Sequence, residues 1–299
     1  MNVTIAAAQY PITAHVDLAA WKTHTEQWVQ QAVNQNAMLL LFPEYGAMEL
    51  VSILPKEIQT DIRAQIIALD SLKENFCLFF ADLAKRYQVI IIAPSIPVVE
   101  DGKHYNRVFV FSEKGLVGYQ DKFFMTRFEN EEWGIHTAPK QLTLFEAEWG
   151  SFGIQICYDV EFALGSQHLC QAGASLILAP SCTETIRGAT RVHVGARARA
   201  LENQAYVCVS QTVGNAEWSP AVDINYGFAG CYSTADKGLP PEGIIELKPA
   251  QEIGWLVVTL DMDLIQSVRD DGQVFNYKDH QKVRNELIGE DILIKKTSL

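Results

Sequence analysis

Short, uninterrupted apolar runs alternate along this chain with longer stretches that carry apolar side chains at helical spacing. The clearest short runs are "AMLLLF" (37–42), "VIIIA" (89–93) and "SLILA" (175–179). Such runs are typical of strands that are covered on both faces. The clearest helical stretches are residues 17–35, 71–87 and 189–203. The alternation predicts an α/β protein.

The composition indicates how many domains this α/β chain forms. It has 299 residues, 48% of them hydrophobic and 20% charged, which is enough apolar material for a sizeable core. No low-complexity linker interrupts it. We therefore predict one domain over residues 1–299, with a polar tail from about residue 277. The tail ends in "EDILIKKTSL", which either folds back on the domain or packs on a partner subunit.

Charge and hydropathy exclude several classes of partner. The formal net charge is −12 at pH 7 and no basic run occurs, so nucleic acid is not an expected partner. The first residues, "MNVTIAAAQYPI", have no Lys or Arg before the apolar run and turn polar too soon for a secretory signal. No apolar stretch reaches the ~18 residues that a membrane span needs. We predict a cytoplasmic protein with no membrane partner.

The cysteines and histidines show no motif of a disulfide framework or a metal site. None of the six cysteines forms C-x-x-C, and an even count in a chain of this size does not imply disulfides. The seven histidines show neither H-x-x-x-H nor H-E-x-x-H spacing. The sequence therefore predicts no metal site.

Chemically capable side chains follow three of the predicted strands. In α/β sheets, sites form beyond the carboxyl ends of strands. Glu44 follows "AMLLLFP", Lys122 follows "LVGYQD" and Cys157 follows "FGIQI". A thiolate can attack a carbonyl carbon, a carboxylate can move the protons, and an ammonium can stabilise the oxyanion. Together the three residues predict an acyl-transfer site.

Each of the three also has a structural interpretation. A cysteine at the end of a buried strand is most often part of the core. Glu44 could begin a helix, where a carboxylate favours the positive end of the dipole. Lys122 could form a solvated pair with Asp121. The joint pattern is more specific than any single residue, because one rule selected all three.

The segments around these residues resemble the nitrilase, or carbon–nitrogen hydrolase, superfamily. "LLLFPE", "GYQDK" and "GIQICYDVEF" are similar in order and spacing to its three motifs, and "YNRVFVFSEKG" and "ARARALENQAYVCVSQ" to two further segments. The resemblance implies a four-layer α-β-β-α sandwich. It also implies that Glu44 is the general base, Lys122 the oxyanion stabiliser and Cys157 the nucleophile. The backbone N–H of Tyr158 would be the second oxyanion donor.

The resemblance implies further residues around the triad. A second glutamate often follows the lysine, and "DKFFMTRFENEEWG" offers Glu129, Glu131 and Glu132, of which we favour Glu131 and then Glu129. The alternative is that all three are surface acids. Cys182, in "APSCTET", either lines the substrate pocket or is a small buried residue. Asp159 and Glu161 are implied to brace the turn that carries the nucleophile.

These inferences lead to a predicted activity. We predict an amidase-type hydrolase that acts on a small amide or N-carbamoyl compound through a cysteine thioester, with no metal or organic cofactor. The resemblance also implies a homodimer or a higher homo-oligomer. One alternative is a nitrilase acting on a nitrile, and another is a non-catalytic binding protein that kept the fold. A cysteine hydrolase with a histidine base is less favoured, because no histidine follows a strand opposite Cys157.

Overall fold

The computed structural model describes residues 1–287 and residue 295. The strands are β1 (Asn2–Pro11), β2 (Leu39–Leu41), β3 (Ile90–Ile92), β4 (Ile96–Glu100), β5 (Lys103–Ser112), β6 (Gly115–Asp121), β7 (Leu144–Ala147), β8 (Gly150–Ile154), β9 (Ala174–Ser181), β10 (Tyr206–Asn215), β11 (Ile224–Asn225), β12 (Gly230–Tyr232), β13 (Ile244–Leu247) and β14 (Gly254–Asp261). The α-helices are α1 (Leu18–Val33), α2 (Lys56–Gln59), α3 (Ile62–Tyr87), α4 (Ala163–Gln171), α5 (Ile186–Asn203), α6 (Met262–Asp271) and α7 (Asn276–Leu287).

Helices α1, α3, α5 and α6 each start where a side chain caps them, and one of these caps moves a helix boundary from its predicted place. The helix predicted for residues 71–87 begins at Ile62, because the Asp61 carboxylate accepts hydrogen bonds from the backbone N–H groups of Arg63 and Ala64. The first part of the predicted tail forms α7, while "EDILIKKTSL" lies outside the described residues apart from residue 295. No helix among the described residues is long and apolar enough to cross a bilayer.

The strands form two sheet halves that meet at β1 and β10. In the first half, β1, β2 and β3 are parallel neighbours, β5 runs antiparallel to β3, and β4 and β6 flank β5. β14 pairs antiparallel with β1. In the second half, β8, β9 and β10 are parallel, with β7 and β12 antiparallel at their sides. The halves join where residues 9–11 pair with residues 211–213.

The side chains of β1 show how the layers are built. Val3, Ile5 and Ala7 pack into one buried cluster, which also contains apolar side chains of β8, β9 and β10. Ala6 and Ala8 point to the other face, into a cluster with residues of α1 and α3. This alternation places β1 between a second sheet and a helical layer. Because α4 and α5 pack on the second half, the layer order is α-β-β-α, as the family resemblance implied.

The strand directions bring the three candidate residues to one edge. β6 is antiparallel to β5, which is antiparallel to β3, so β6 runs in the same direction as β2. Glu44 and Lys122 follow the carboxyl ends of β2 and β6. Cys157 follows β8 in the facing half.

Candidate active site

The centre of the candidate site is a buried lysine that lies between two carboxylates. Lys122 Nζ donates hydrogen bonds to Glu44 Oε1 at 2.7 Å and to Glu129 Oε2 at 2.7 Å. The side chains of all three residues are about 1% exposed. Buried charges need partners of opposite sign and satisfied hydrogen bonds, and this arrangement supplies both.

Two residues that the sequence did not select as site residues complete this cluster. Asn106, on β5, donates from Nδ2 to Glu44 Oε1 at 2.9 Å and to Glu129 Oε1 at 3.4 Å. The Tyr45 hydroxyl donates to Glu129 Oε1 at 2.7 Å. The available signals were the Tyr-Asn segment similar to the family and the position of Tyr45 next to Glu44. Neither signal indicates that Asn106 bonds both carboxylates or that the Tyr45 hydroxyl bonds Glu129.

The structure places Glu129, rather than the favoured Glu131, next to Lys122. Glu131 is exposed and pairs with Arg127 at 2.8 Å, and Glu132 is also exposed. Glu129 instead turns inward, where the Thr126 backbone N–H and hydroxyl both bond its Oε2 at 2.9 Å. A single helical turn, Glu129–Trp133, carries all three acids on different sides. The direction in which each acid points depends on this turn, which spacing alone did not reveal.

Cys157 occupies a strained position at the start of a short helical turn. It is the first residue of a 3₁₀ turn, Cys157–Glu161, and its φ is 50°, in the left-handed region. Its thiol is buried, and Sγ lies 3.6 Å from the carbonyl oxygen of Cys182. A left-handed non-glycine residue costs about 1–3 kcal/mol and persists only where neighbours hold it. Such strain is common at active sites.

Asp159 ties the nucleophile turn to the segment that carries Lys122. Its carboxylate accepts hydrogen bonds from the backbone N–H groups of Phe123 and Phe124, at 3.1 Å and 2.6 Å. It also accepts one from Ile156 N–H at 3.3 Å. This is the bracing role that the resemblance implied. Burial raises the pKa of Asp159 to about 7, although these hydrogen bonds favour its charged form.

Helix α5 supports the same turn from outside. Gly195 allows the close approach, because a Cβ at this position would lie 2.8 Å from the carbonyl oxygen of Val160. Arg199 Nη1 donates to that oxygen at 3.3 Å. The position of Cys157 therefore depends on packing from the second helical layer.

The remaining two predicted residues meet the site in different ways. Cys182 contacts it through its backbone: its N–H donates to Glu44 Oε2 at 3.0 Å, and its thiol lies 3.3 Å from Asn225 Oδ1. Tyr158 directly follows Cys157 in the 3₁₀ turn, and its half-buried ring lies against Phe162. Cys182 therefore touches the carboxylate cluster through its main chain rather than through its thiol.

The electrostatics of the cluster shift the pKa values of the two carboxylates in opposite directions. Burial raises the pKa of Glu44 above its ordinary value, and the Lys122 ammonium only partly offsets this. Burial acts in the same direction on Glu129, but Lys122 and the hydrogen bonds from Thr126 outweigh it, so its pKa is lowered. Glu44 is therefore the stronger proton acceptor of the two, which suits a general base.

The pKa values of the lysine and of the thiol are both raised, for different reasons. Burial alone would lower the pKa of Lys122, but the charges of Glu129 and Glu44 raise it well above its ordinary value. Burial and then the Glu44 charge raise the pKa of the Cys157 thiol well above its ordinary value. These shifts keep Lys122 as an ammonium and Cys157 as a protonated thiol in the resting site.

The family model of the carbon-nitrogen hydrolases matches residues 4–270. This chain belongs to the carbon-nitrogen hydrolase family. The resemblance to the nitrilase superfamily is thereby confirmed. This chain is 32% identical over 281 residues to "Probable hydrolase YhcX" of Bacillus subtilis, covering 94% of this chain and 54% of that protein. It is 26% identical over 201 residues to the omega-amidase NIT3 of Saccharomyces cerevisiae, covering 64% of this chain and 65% of NIT3.

The carbon-nitrogen hydrolase fold also has solved relatives. The carbon-nitrogen hydrolase of Helicobacter pylori G27 matches with a TM-score of 0.77 at 16% identity, covering 97% of this chain and 99% of that chain. This similarity shows the fold. The chain spans about half of the length of YhcX and about two thirds of that of NIT3.

Proposed function

We propose that this hydrolase is an amidase that acts on a small amide or N-carbamoyl compound through a thioester on Cys157. The observation that carries the proposal is the Glu44–Lys122–Glu129 cluster beside the strained, buried thiol. The similarity to NIT3, which is named an omega-amidase, supports an amide substrate over a nitrile.

The proposed reaction uses each group at a defined step. Glu44 takes the Cys157 thiol proton as sulfur attacks the carbonyl carbon of the substrate. Lys122 Nζ and the backbone N–H of Tyr158 stabilise the oxyanion that forms. Glu44 then gives the proton to the nitrogen, and ammonia or an amine leaves, which produces the thioester. Water then loses a proton to Glu44 and attacks the thioester. The carbon–sulfur bond breaks, the acid leaves, and Glu44 returns its proton to the Cys157 sulfur.

Within this proposal, Glu129 acts mainly on Lys122. Its carboxylate lies 2.7 Å from Nζ and helps to keep the buried ammonium charged. Tyr45 and Asn106 hold that carboxylate from its other oxygen. We propose that Glu129 thereby positions Lys122, and that it is the glutamate that helps to hold the substrate amide.

The experiment that tests the proposed function is an ammonia-release screen. The panel contains simple amides, omega-amides, N-carbamoyl amino acids and nitriles, with the Cys157→Ala protein as the blank. Release from amides or carbamoyl compounds above the blank would support the proposal. Release from nitriles alone would favour a nitrilase, and no release above the blank from any class would count against the mechanism.

A matched pair of variants tests the role of Glu129. We expect Glu129→Gln to lower kcat/KM at least ~100-fold, because the amide cannot neutralise Lys122. Glu131→Gln removes the same charge two residues away, at an exposed pair with Arg127, and should change kcat/KM less than about 2-fold. Steady-state ammonia release measures both. Equal effects of the two substitutions would contradict the assignment.

The raised pKa of Glu44 predicts the pH dependence of activity. The general base must be deprotonated, so kcat/KM should rise with pH through an apparent pKa above the ordinary glutamate value of about 4.3. A pH–rate profile measures this limb, with the enzyme returned to neutral pH as a control for acid damage. A limb within the ordinary range, or a flat profile, would show that Glu44 does not limit the reaction.

Two expectations from the sequence stay predictions. The first is the homodimer, which is supported by exposed apolar side chains on the outer face of α4 and α5: Leu164, Ile186, Val194 and Leu201. The second is the cytoplasmic location.

A further inference from the structure

Two histidines and a glutamate meet outside the candidate active site. His15 lies in the loop between β1 and α1, His24 lies on α1, and Glu49 lies in the helical turn Gly46–Ile53. One ligand atom of each lies within 4.8 Å of those of the other two. The rings of His15 and His24 are 5.1 Å apart between centroids. Three separate elements therefore bring two imidazoles and a carboxylate to one point.

The two imidazoles have unused nitrogen atoms. The His15 side chain is only 5% exposed, and the Nε2 atoms of both histidines are buried without a hydrogen bond to any described residue. His15 Nε2 lies 3.5 Å from Glu49 Oε2, outside hydrogen-bond geometry. A buried polar atom without a partner is costly, and each such atom in a folded protein requires an explanation.

Glu49 is held as a metal-binding carboxylate would be. The Tyr10 hydroxyl donates to Oε2 at 2.9 Å, and the Thr13 backbone N–H donates to Oε1 at 2.8 Å. Such second hydrogen bonds orient the ligands of metal sites. The side chain is 1% exposed, and none of its ion pairs within the described part of the chain is with Lys or Arg. A buried carboxylate in this setting gains most from a cation bound next to it.

We propose that His15, His24 and Glu49 bind a divalent transition metal such as Zn²⁺, with water at the remaining position. Two imidazoles and a carboxylate are a ligand set that zinc uses when it keeps an open position. Tetrahedral ligands of zinc lie about 3.3 Å apart. Because the three ligand atoms lie within 4.8 Å of one another, each pair needs to close by at most about 1.5 Å. Histidine motifs of short spacing do not describe this cluster, because its ligands come from three separate elements, and the sequence therefore predicted no metal site.

The position of the site indicates a structural role. Glu49 lies in the turn that directly follows Glu44 and Tyr45, and the bond from His15 N–H to Ser52 Oγ, at 2.9 Å, already ties this turn to the β1–α1 loop. A metal bound here would fasten α1, the loop and the turn to one another. The metal takes no part in the proposed reaction. Loss of metal binding and loss of amidase activity are therefore distinguishable outcomes.

The test measures metal binding directly, in the tag-free Cys157→Ala protein, so that the active-site thiol cannot compete for the metal. Zn²⁺ is titrated against a chromophoric chelator, and Co²⁺ is titrated by its visible absorption. We expect one metal per chain without a thiolate charge-transfer band. We also expect saturating Zn²⁺ to raise Tm by about 5 °C, since the metal binds only the folded state.

Matched histidine variants assign the metal to this cluster. His24→Gln and His15→Gln should each weaken Zn²⁺ binding at least ~100-fold and abolish the rise in Tm. His136→Gln is the control, because His136 is exposed and belongs to the other close histidine pair, with His104. Circular dichroism checks that each variant folds. No stoichiometric binding by the parent, or equal affinity in all three variants, would overturn the proposal.

Discussion

Replacing Cys157 with alanine is expected to reduce ammonia release from any accepted amide by at least about 10,000-fold. The Cys157 thiol is the group to which the acyl part of the substrate would be bound, and none of Glu44, Lys122 and Glu129 can form a thioester in its place. Alanine leaves the Glu44–Lys122–Glu129 hydrogen bonds intact, since none of them involves the sulfur. Steady-state ammonia assays, with mass spectrometry of the acylated wild-type protein, measure the effect.

The neighbouring thiol supplies the matched control. Cys182→Ala keeps the backbone N–H that bonds Glu44 and the carbonyl oxygen near Cys157, so we expect it to retain activity within about 10-fold. Cys157→Ala that retains more than a small fraction of activity would show that the nucleophile is not this residue. Loss of all activity in Cys182→Ala alone would indicate that the wrong thiol had been chosen.

Lys122→Met is expected to lower the free energy of unfolding by about 3–5 kcal/mol at pH 8, besides abolishing turnover. Methionine fills a similar volume but removes the ammonium, which leaves Glu44 and Glu129 buried without a cation. Two buried carboxyls that share a site cannot both ionise at low cost. Urea denaturation monitored by circular dichroism measures the loss.

The pH dependence of this loss has a definite sign. In the variant, burial raises the pKa of both carboxyls in the folded state above their unfolded values. Groups of this kind contribute full stability below the unfolded pKa and lose it as pH rises through the folded pKa. The loss should therefore be smaller at pH 5.5 than at pH 8.

Lys73→Met is the control for this substitution. Lys73 forms a half-exposed pair with Asp70 at 2.8 Å, so its replacement should cost less than ~1 kcal/mol, with little change between the two pH values. A loss for Lys122→Met that is as small as that for Lys73→Met, or that does not depend on pH, would contradict the charge balance inferred for the site.

Most of the fold follows from hydrophobic periodicity. The continuous apolar runs became buried strands, and the alternation along β1 separates two packed layers because successive side chains of a strand point to opposite faces. The helix that begins at Ile62 shows the limit of this approach. Its start depends on capping hydrogen bonds that the Asp61 carboxylate accepts from backbone N–H groups, which periodicity does not describe.

The candidate site likewise contains some residues that the sequence identified and others that only the tertiary structure revealed. The sequence by itself determined the family, and it selected Glu44, Lys122 and Cys157, because strand ends can be read from local pattern and parallel strands share an edge. Only the tertiary structure decided that Glu129 rather than Glu131 faces Lys122, and that Asn106 joins the two carboxylates. The direction of a side chain on a single turn, and the meeting of residues far apart in the chain, depend on packing between layers. The His15–His24–Glu49 cluster has the same origin, since its members come together only when α1 packs over the first sheet.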